Sequence, residues 1–291
     1  MPSASDAFAA QAGMWVIEPR QHGVFARLRE LWSYRYLWWY FASATVTSLY
    51  RGSALGWLWL LLRVVAPIGI NAIVFGDMLS QSEKVQIPYF LFFLCGIVTW
   101  TVFERSLFYI TRSVERNRRL VTRVYFPRLI LPVSAVAPGL VYLAVLIIIL
   151  AVTVVVFHQR DGLWYVTMSP RLLVSVGAVV ASLFFAIAVG LWTAVLQARY
   201  RDVRYALRYI TPVWFLLTPV VYPMSEISSR YSWLVALNPM APIVEAFKWG
   251  TLGQGAFPQV PAAMSLGLVV ITMVTGLWFF NREEAASVDK L

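Results

Sequence analysis

The sequence predicts an all-α membrane protein with about six transmembrane helices, and three observations carry that expectation. Of the 291 residues, 60% are apolar and 13% charged, against about 45–50% and about 25% in a soluble domain. Such a chain cannot cover itself with polar surface. Apolar runs of roughly 18 residues or more recur, each able to cross a hydrocarbon core about 30 Å thick at about 1.5 Å per residue. Between those runs, 17 of the 24 Lys and Arg fall in alternate segments. That asymmetry places both termini in the cytoplasm by the positive-inside rule. It also accounts for the net charge of +10 through topology, without a nucleic-acid partner.

The organisation expected is a cytoplasmic N-terminal segment at 1–56, a transmembrane domain at 57–280 and a cytoplasmic tail at 281–291. The first residues lack a basic start followed by a compact apolar stretch, so no cleaved signal peptide is expected and the first span serves as the insertion signal. At 100° per residue, Val24, Phe25, Leu28, Leu31 and Trp32 share one arc and Arg27, Arg29, Glu30 and Ser33 the other. Residues 24–35 are therefore read as an amphipathic helix lying flat on the membrane surface. Leu37 to Tyr50 is apolar and aromatic but only about 14 residues long, which leaves it open between an interfacial element and an early span. Spans are expected at about 57–79, 88–110, 129–157, 172–198, 208–224 and 260–280.

After the second span, Arg112, Arg116, Arg119 and Arg123 recur at helical spacing, opposite Val114, Leu120, Val121 and Val124, until Pro127 ends the pattern. A basic amphipathic helix of this kind either adheres to anionic lipid or docks on an acidic or cleft-bearing partner. The fifth span is short and carries Pro212, Pro219 and Pro223; Trp233, Leu234, Leu237, Ile243, Val244, Phe247 and Trp249 follow, broken by Asn238-Pro239 and Gly250. This reads as two short helices dipping back into the outer leaflet. Non-helical backbone at membrane depth is tolerated only where protein buries it or water reaches it, which argues for a pathway.

Catalytic and metal chemistry have little to stand on. The histidines are His22 and His158, the lone cysteine is Cys95 inside an apolar run, and the carboxylates are scattered. No phosphate-cradling loop, zinc motif or nucleophile elbow is present in the sequence. Work against a gradient then requires another subunit to supply the energy.

Several motifs resemble the permeases of type-2 ABC exporters for polysaccharides such as O-antigen, capsule and teichoic-acid-like polymers. Tyr50, Arg51, Ser53, Leu55, Gly56, Leu58 and Trp59 are similar to the family's pattern before the first span, with Leu49 where arginine is frequent. Leu120 and Val121, then Val124-Tyr125-Phe126-Pro127-Arg128-Leu129-Ile130-Leu131-Pro132, resemble its signature after the second span, with Arg123 in place of lysine. Arg199 to Tyr205, and Leu237 to Met240 followed by Glu245, Phe247 and Trp249, extend the likeness.

The resemblance implies a homodimer around a channel for a lipid-linked glycan in the cytoplasmic (inner) membrane. Two copies of a separate cytoplasmic ATPase would bind ATP and magnesium, leaving this chain without a cofactor. It makes 112–125 a coupling helix, with Arg112, Glu115, Arg116, Arg119, Leu120 and Arg123 facing the ATPase and Arg201-Asp202 as a second contact. It makes 226–252 extracytoplasmic gate helices, with Trp233, Asn238, Pro239 and Glu245 as gate residues.

Pyranose rings present apolar CH faces that stack on aromatic side chains. Trp57, Trp59, Trp100, Phe103, Trp214, Phe215 and Tyr222 are accordingly expected along the channel, although aromatic belts also anchor membrane proteins at both interfaces. Arg63 and Glu104 lie at similar depth, about 9 Å from the cytoplasmic side at about 1.5 Å per residue. They are expected to pair, the alternatives being a snorkelling Arg63 with a hydrated Glu104, or Arg105 as the partner. Two rival readings are a permease of the same architecture for a small lipid or drug, and a membrane-embedded enzyme acting on a lipid-linked sugar.

Overall fold

The computed structural model describes residues 32–49, 51, 55–78, 85, 87–121, 126–166, 168–227, 230, 233, 235, 237–253, 255 and 257–288. In chain order the elements are α1 (Arg35–Thr47), α2 (Trp57–Asn71) continuing into a π-helical stretch (Ala72–Met78), α3 (Tyr89–Thr111), α4 (Ser113–Arg116) and α5 (Arg118–Val121). Then come α6 (Ile130–Ser134), α7 (Ala137–Asp161), α8 (Leu172–Arg199), α9 (Val203–Leu216), a 3-10 turn (Met224–Glu226), α10 (Met240–Leu252) and α11 (Gln259–Val288). Among the described residues, five stretches are long and apolar enough to cross a membrane: Leu58–Gly76, Tyr89–Thr111, Ile130–Asp161, Leu172–Arg199 and Gln259–Glu283. The chain is an all-α, multi-pass membrane protein.

The span expected at 208–224 takes another form. Its helix, α9, has 14 residues, about 21 Å at about 1.5 Å each. It ends at Leu216, and the chain then runs non-helically through Pro219 to Pro223. Neither proline can donate a backbone hydrogen bond, so the helix cannot be prolonged through them without loss.

The central element is α3, packed by α8, α7 and α10, while α8 also carries α11. Phe93, Leu94, Cys95, Val98, Phe103, Leu107 and Ile110 of α3 are fully enclosed. Around it, α7 buries Pro138 and Gly139 in its first turn and then the stripe Tyr142, Leu146, Leu150 and Val154, spaced four apart, and exposes Ile148, Val152 and Val156. A helix apolar all round but covered by protein along one stripe turns the remainder to lipid. Small residues set the crossings: Gly139 lies against Ser106, Gly190 against Ile110, and a Cβ on Gly276 would stand 2.8 Å from the Ala188 carbonyl oxygen. Hydroxyls join the same helices, since Ser182 Oγ donates to the Thr99 carbonyl at 2.8 Å and the Thr111 and Thr193 hydroxyls meet at 2.7 Å. Lipid offers helices no hydrophobic drive to associate, so close packing and hydrogen bonds carry that task.

Most of the stretch 37–50 lies in α1. Its 13 residues extend about 20 Å at about 1.5 Å per residue, too short to cross. Phe41 is buried against Phe126, ring centroids 5.8 Å apart, and against Ile130 and Leu131. Tyr36, Trp39 and Tyr40 point outward. The signature around Phe126-Pro127 therefore has a structural task, which is to seat this short aromatic helix. Residues 24–31 of the expected surface helix lie outside the described residues. Gly56, at the start of α2, has φ +48°, a left-handed backbone that favours glycine at that position of the motif.

Candidate functional site

The ends of α3, α8 and α11 and the start of α9 meet at one end of the bundle, which carries Arg112, Arg116, Arg118, Arg199, Arg201 and Arg204. At the far end lies the non-helical segment 217–223. A Cβ on Gly96 would come within 2.9 Å of the Val220 carbonyl oxygen. Gly96 lies seven residues after Tyr89, the first residue of α3, so the segment lies about 10 Å along that helix from its start at about 1.5 Å per residue. Its carbonyls have lost their helical partners at membrane depth and need others.

Side chains supply them. Tyr222 donates its hydroxyl to the Leu216 carbonyl at 3.0 Å, and Asn238 Nδ2 donates to the Leu217 carbonyl at 3.4 Å. Lys248 Nζ donates to the Pro219 carbonyl at 2.6 Å, and Tyr89 donates to the Val221 carbonyl at 2.6 Å. Asn238 is the hub: its Nδ2 also donates to Thr218 Oγ1 at 2.9 Å, while its Oδ1 accepts from Trp214 Nε1 at 2.8 Å and from the Met240 N–H at 3.1 Å. It thereby fastens the end of α9 to the start of α10. The neighbouring Pro239 carbonyl accepts from Ser265 Oγ of α11 at 2.7 Å. The expectation of a junction at Asn238-Pro239 thus meets a dense polar knot. Trp233 is exposed, and much of the first expected gate helix lies outside the described residues.

Lys248 is a residue that the sequence reading did not single out. It is 3% exposed, and its ammonium stands 3.8 Å from the centre of the Phe92 ring. A Cβ on Gly96 would collide with its Cε at 2.8 Å, so the glycine makes room for the lysine stem. The signal was present: a lysine between Phe247 and Trp249, in a helix whose residues are otherwise largely apolar, has no solvated face. Glu245, one turn earlier, is half-buried, with Oε2 enclosed and without a hydrogen-bond partner among the described residues.

The expected sugar-stacking aromatics divide. Trp100 and Phe103 are 3% and 0% exposed, locked among Phe185, Trp214 and Phe215. Phe103 stacks on Phe185 at 5.2 Å and meets Trp214 edge-on at 5.1 Å; Trp100 meets Phe215 edge-on at 5.5 Å. These two are core residues, a correction whose cause is the central position of α3. Trp214, Phe215 and Tyr222 are half-buried and Trp59 is 46% exposed. The Trp57 side chain lies outside the described residues.

At the basic end, the described part of the helix expected over 112–125, residues 112–121, holds two four-residue helices, α4 and α5. Asn117 separates them, its Nδ2 donating to the Ser113 carbonyl at 2.8 Å. A side-chain amide that takes an i−4 carbonyl displaces the backbone bond that would continue the helix. Arg112, Arg116, Leu120, Arg201 and Asp202 are exposed, while Glu115 turns inward. The Arg119 side chain and Arg123 lie outside the described residues.

The pairing expected between Arg63 and Glu104 is replaced by the neighbouring cation. Arg105 Nε lies 4.0 Å from Glu104 Oε2 and its guanidinium covers the Tyr142 ring at 4.9 Å. Arg63 follows the wrong side of α2, which buries Leu60, Val64 and Ile68 and leaves Arg63 exposed. The arginine side chain is long enough to curl back to an adjacent residue, which the angle between neighbouring Cβ positions alone did not allow.

The bundle thus carries a clasped break in one helix and an arginine-rich opposite end. The chain belongs to the ABC-2 type transporter family, whose model matches residues 36–252, and it is a transporter subunit. It is 28% identical over 264 residues to the O-antigen export system permease protein RfbA of Myxococcus xanthus, covering 89% of this chain and 97% of that protein. Two RfbA permeases of Klebsiella pneumoniae are 26% and 25% identical, each across 80% of this chain and 86% of their own length.

Proposed function

We propose that this chain is the membrane subunit of an exporter that carries a lipid-linked polysaccharide, of O-antigen or capsule type, across the cytoplasmic membrane. It works as a homodimer, with both termini in the cytoplasm. Two copies of a separate ATPase bind ATP and magnesium on the basic end, against the turns that hold Arg112 and Arg116 and the turn that holds Arg201-Asp202. The observation that carries the substrate class is the near full-length match to the Myxococcus O-antigen export permease. The end-to-end separation of exposed arginines from the clasped segment supports the division into an energised end and a gate.

The gate on this reading is the Asn238–Lys248 clasp with segment 217–223, and Trp59 and Tyr222 are the aromatics placed to meet sugar. Deleting the gene tests the reading: surface glycan should vanish and lipid-linked polymer should accumulate inside the cell, with recovery on re-expression. Normal surface glycan in the deletion strain would refute it. Docking is tested separately with Arg116→Glu and Arg201→Glu, which should weaken co-purification of the ATPase while the permease still inserts.

A further inference from the structure

Gln197 occupies the last turn of α8 and is 2% exposed, and both ends of its amide are used. Nε2 donates to Glu115 Oε2 of α4 at 2.9 Å. Oε1 accepts from the backbone N–H of Arg204 at 2.8 Å, in the first turn of α9. The first N–H groups of a helix have no partner within it, and Asp202, at the cap of α9, provides no side-chain bond. A buried glutamine from a third helix therefore caps α9 while holding α4.

We infer that Gln197 is a positioning residue that makes the two exposed arginine turns at the basic end move as one body. This rests on the reading that those turns receive the ATPase. The turn before α9 carries Arg201 and Asp202, and α4 carries Arg116; the Gln197 amide is hydrogen-bonded to both sides, to Glu115 and to the Arg204 N–H. Around it, α8 is anchored on two sides. Thr193 meets Thr111 of α3 at 2.7 Å, and Arg199 pairs with Glu283 of α11 at 2.8 Å. A push on α4 is thus delivered to the start of α9, the helix whose other end runs into the clasped segment. Without the amide the two turns take up the push separately, and α9 loses its cap.

The chemistry of the amide sets the test. In Gln197→Met the volume is kept and both hydrogen bonds are lost. In Gln197→Glu the donor to Glu115 becomes a second carboxylate facing it. In the exchanged pair, Glu115→Gln with Gln197→Glu, the amide introduced at position 115 donates to the carboxylate introduced at position 197, whose other oxygen still accepts the Arg204 N–H. The permease and its ATPase, purified together in nanodiscs, report basal ATP hydrolysis and subunit ratio, and cells report surface glycan per permease. Both single changes at 197 should lower export about tenfold, within the roughly 5–150-fold span of ordinary coupling energies. Subunit ratio and basal hydrolysis should remain, and the exchanged pair should recover most of the export.

Spin labels at Arg118→Cys and Arg201→Cys, on a small fraction of labelled chains mixed with unlabelled permease so that a dimer holds one labelled copy, give the structural readout: the distance within that protomer should be narrow without a change at 197 and broadened in Gln197→Met. Normal export per permease in Gln197→Met, an unbroadened distance, or an exchanged pair no better than Gln197→Glu would overturn the inference. The docking reading fails by a different result: unchanged ATPase co-purification in Arg116→Glu and Arg201→Glu.

Discussion

The helices α2 and α3 are neighbours in sequence and both are apolar, yet they sit at opposite extremes of burial. Of the most apolar stretch of each, 17% is enclosed by protein in the first span and 72% in the second. The less apolar of the two is the core. Thr99, Ser106 and Thr111 of α3 are buried: the Thr111 hydroxyl meets that of Thr193 in α8, the Ser182 hydroxyl of α8 donates to the Thr99 backbone carbonyl, and Ser106 lies against Gly139 of α7. By contrast, α2 and the π-helical stretch that continues it show Leu61, Leu62, Val65, Ile70 and Ile73 to their surroundings. Hydropathy identifies which segments enter the bilayer; hydroxyls and small residues identify which of them the protein surrounds.

The strongest way to break this comparison is to truncate a core side chain. Phe103→Ala should cost about 3–5 kcal/mol, as for a buried aromatic, and should reduce the yield of folded protein on thermal unfolding in detergent. Trp59→Ala, on the exposed side of α2, should leave folding near normal and slow export. Equal loss of folded protein in both would erase the difference between the helices.

The clasp ranks next. Lys248→Met leaves the Pro219 carbonyl without its donor, at about 1–3 kcal/mol for an unsatisfied buried group. It should loosen the segment, read as faster thiol labelling of Val221→Cys. Background labelling should be low because the native thiol, Cys95, is fully buried. Unaltered labelling would mean that Lys248 does not hold the segment.

Smaller effects sharpen the same contrast. Ile148→Ala, on the lipid-facing side of α7, should alter stability by no more than about 0.5 kcal/mol, as for an uninvolved surface residue. Arg63→Gln and Glu104→Gln should be additive to within about 0.5 kcal/mol in a double-mutant cycle on unfolding. A larger coupling would reinstate the pair that Arg105 replaces.

The spans of α2, α3, α7, α8 and α11 were legible because each is a long apolar run, whereas 208–224 was read as one span although Pro219 and Pro223 lie in the part that is not helical. The role of Phe126, Ile130 and Leu131 as the seat of α1 was not, since a family signature says nothing about what packs on it. Trp100 and Phe103 were read as channel residues because an aromatic in a span looks alike whether it faces a pore or a core. Lys248 and Gln197 were overlooked because their partners are carbonyls and carboxylates far away in sequence, such as Pro219, 29 residues from Lys248, and Glu115, 82 from Gln197. Periodicity can place a residue on a helix face, but it cannot name the atom opposite.

The most direct test of the account is transport by the purified parts. The permease and its ATPase are reconstituted with lipid-linked glycan from the parent strain in vesicles whose basic end faces outward, and glycan reaching the lumen is measured by protection from an added glycosidase. The protected fraction should rise with ATP and magnesium only when both subunits are present, and Arg116→Glu should abolish the rise. Protection equal to that in vesicles lacking the permease, with ATP hydrolysis intact, would contradict the account.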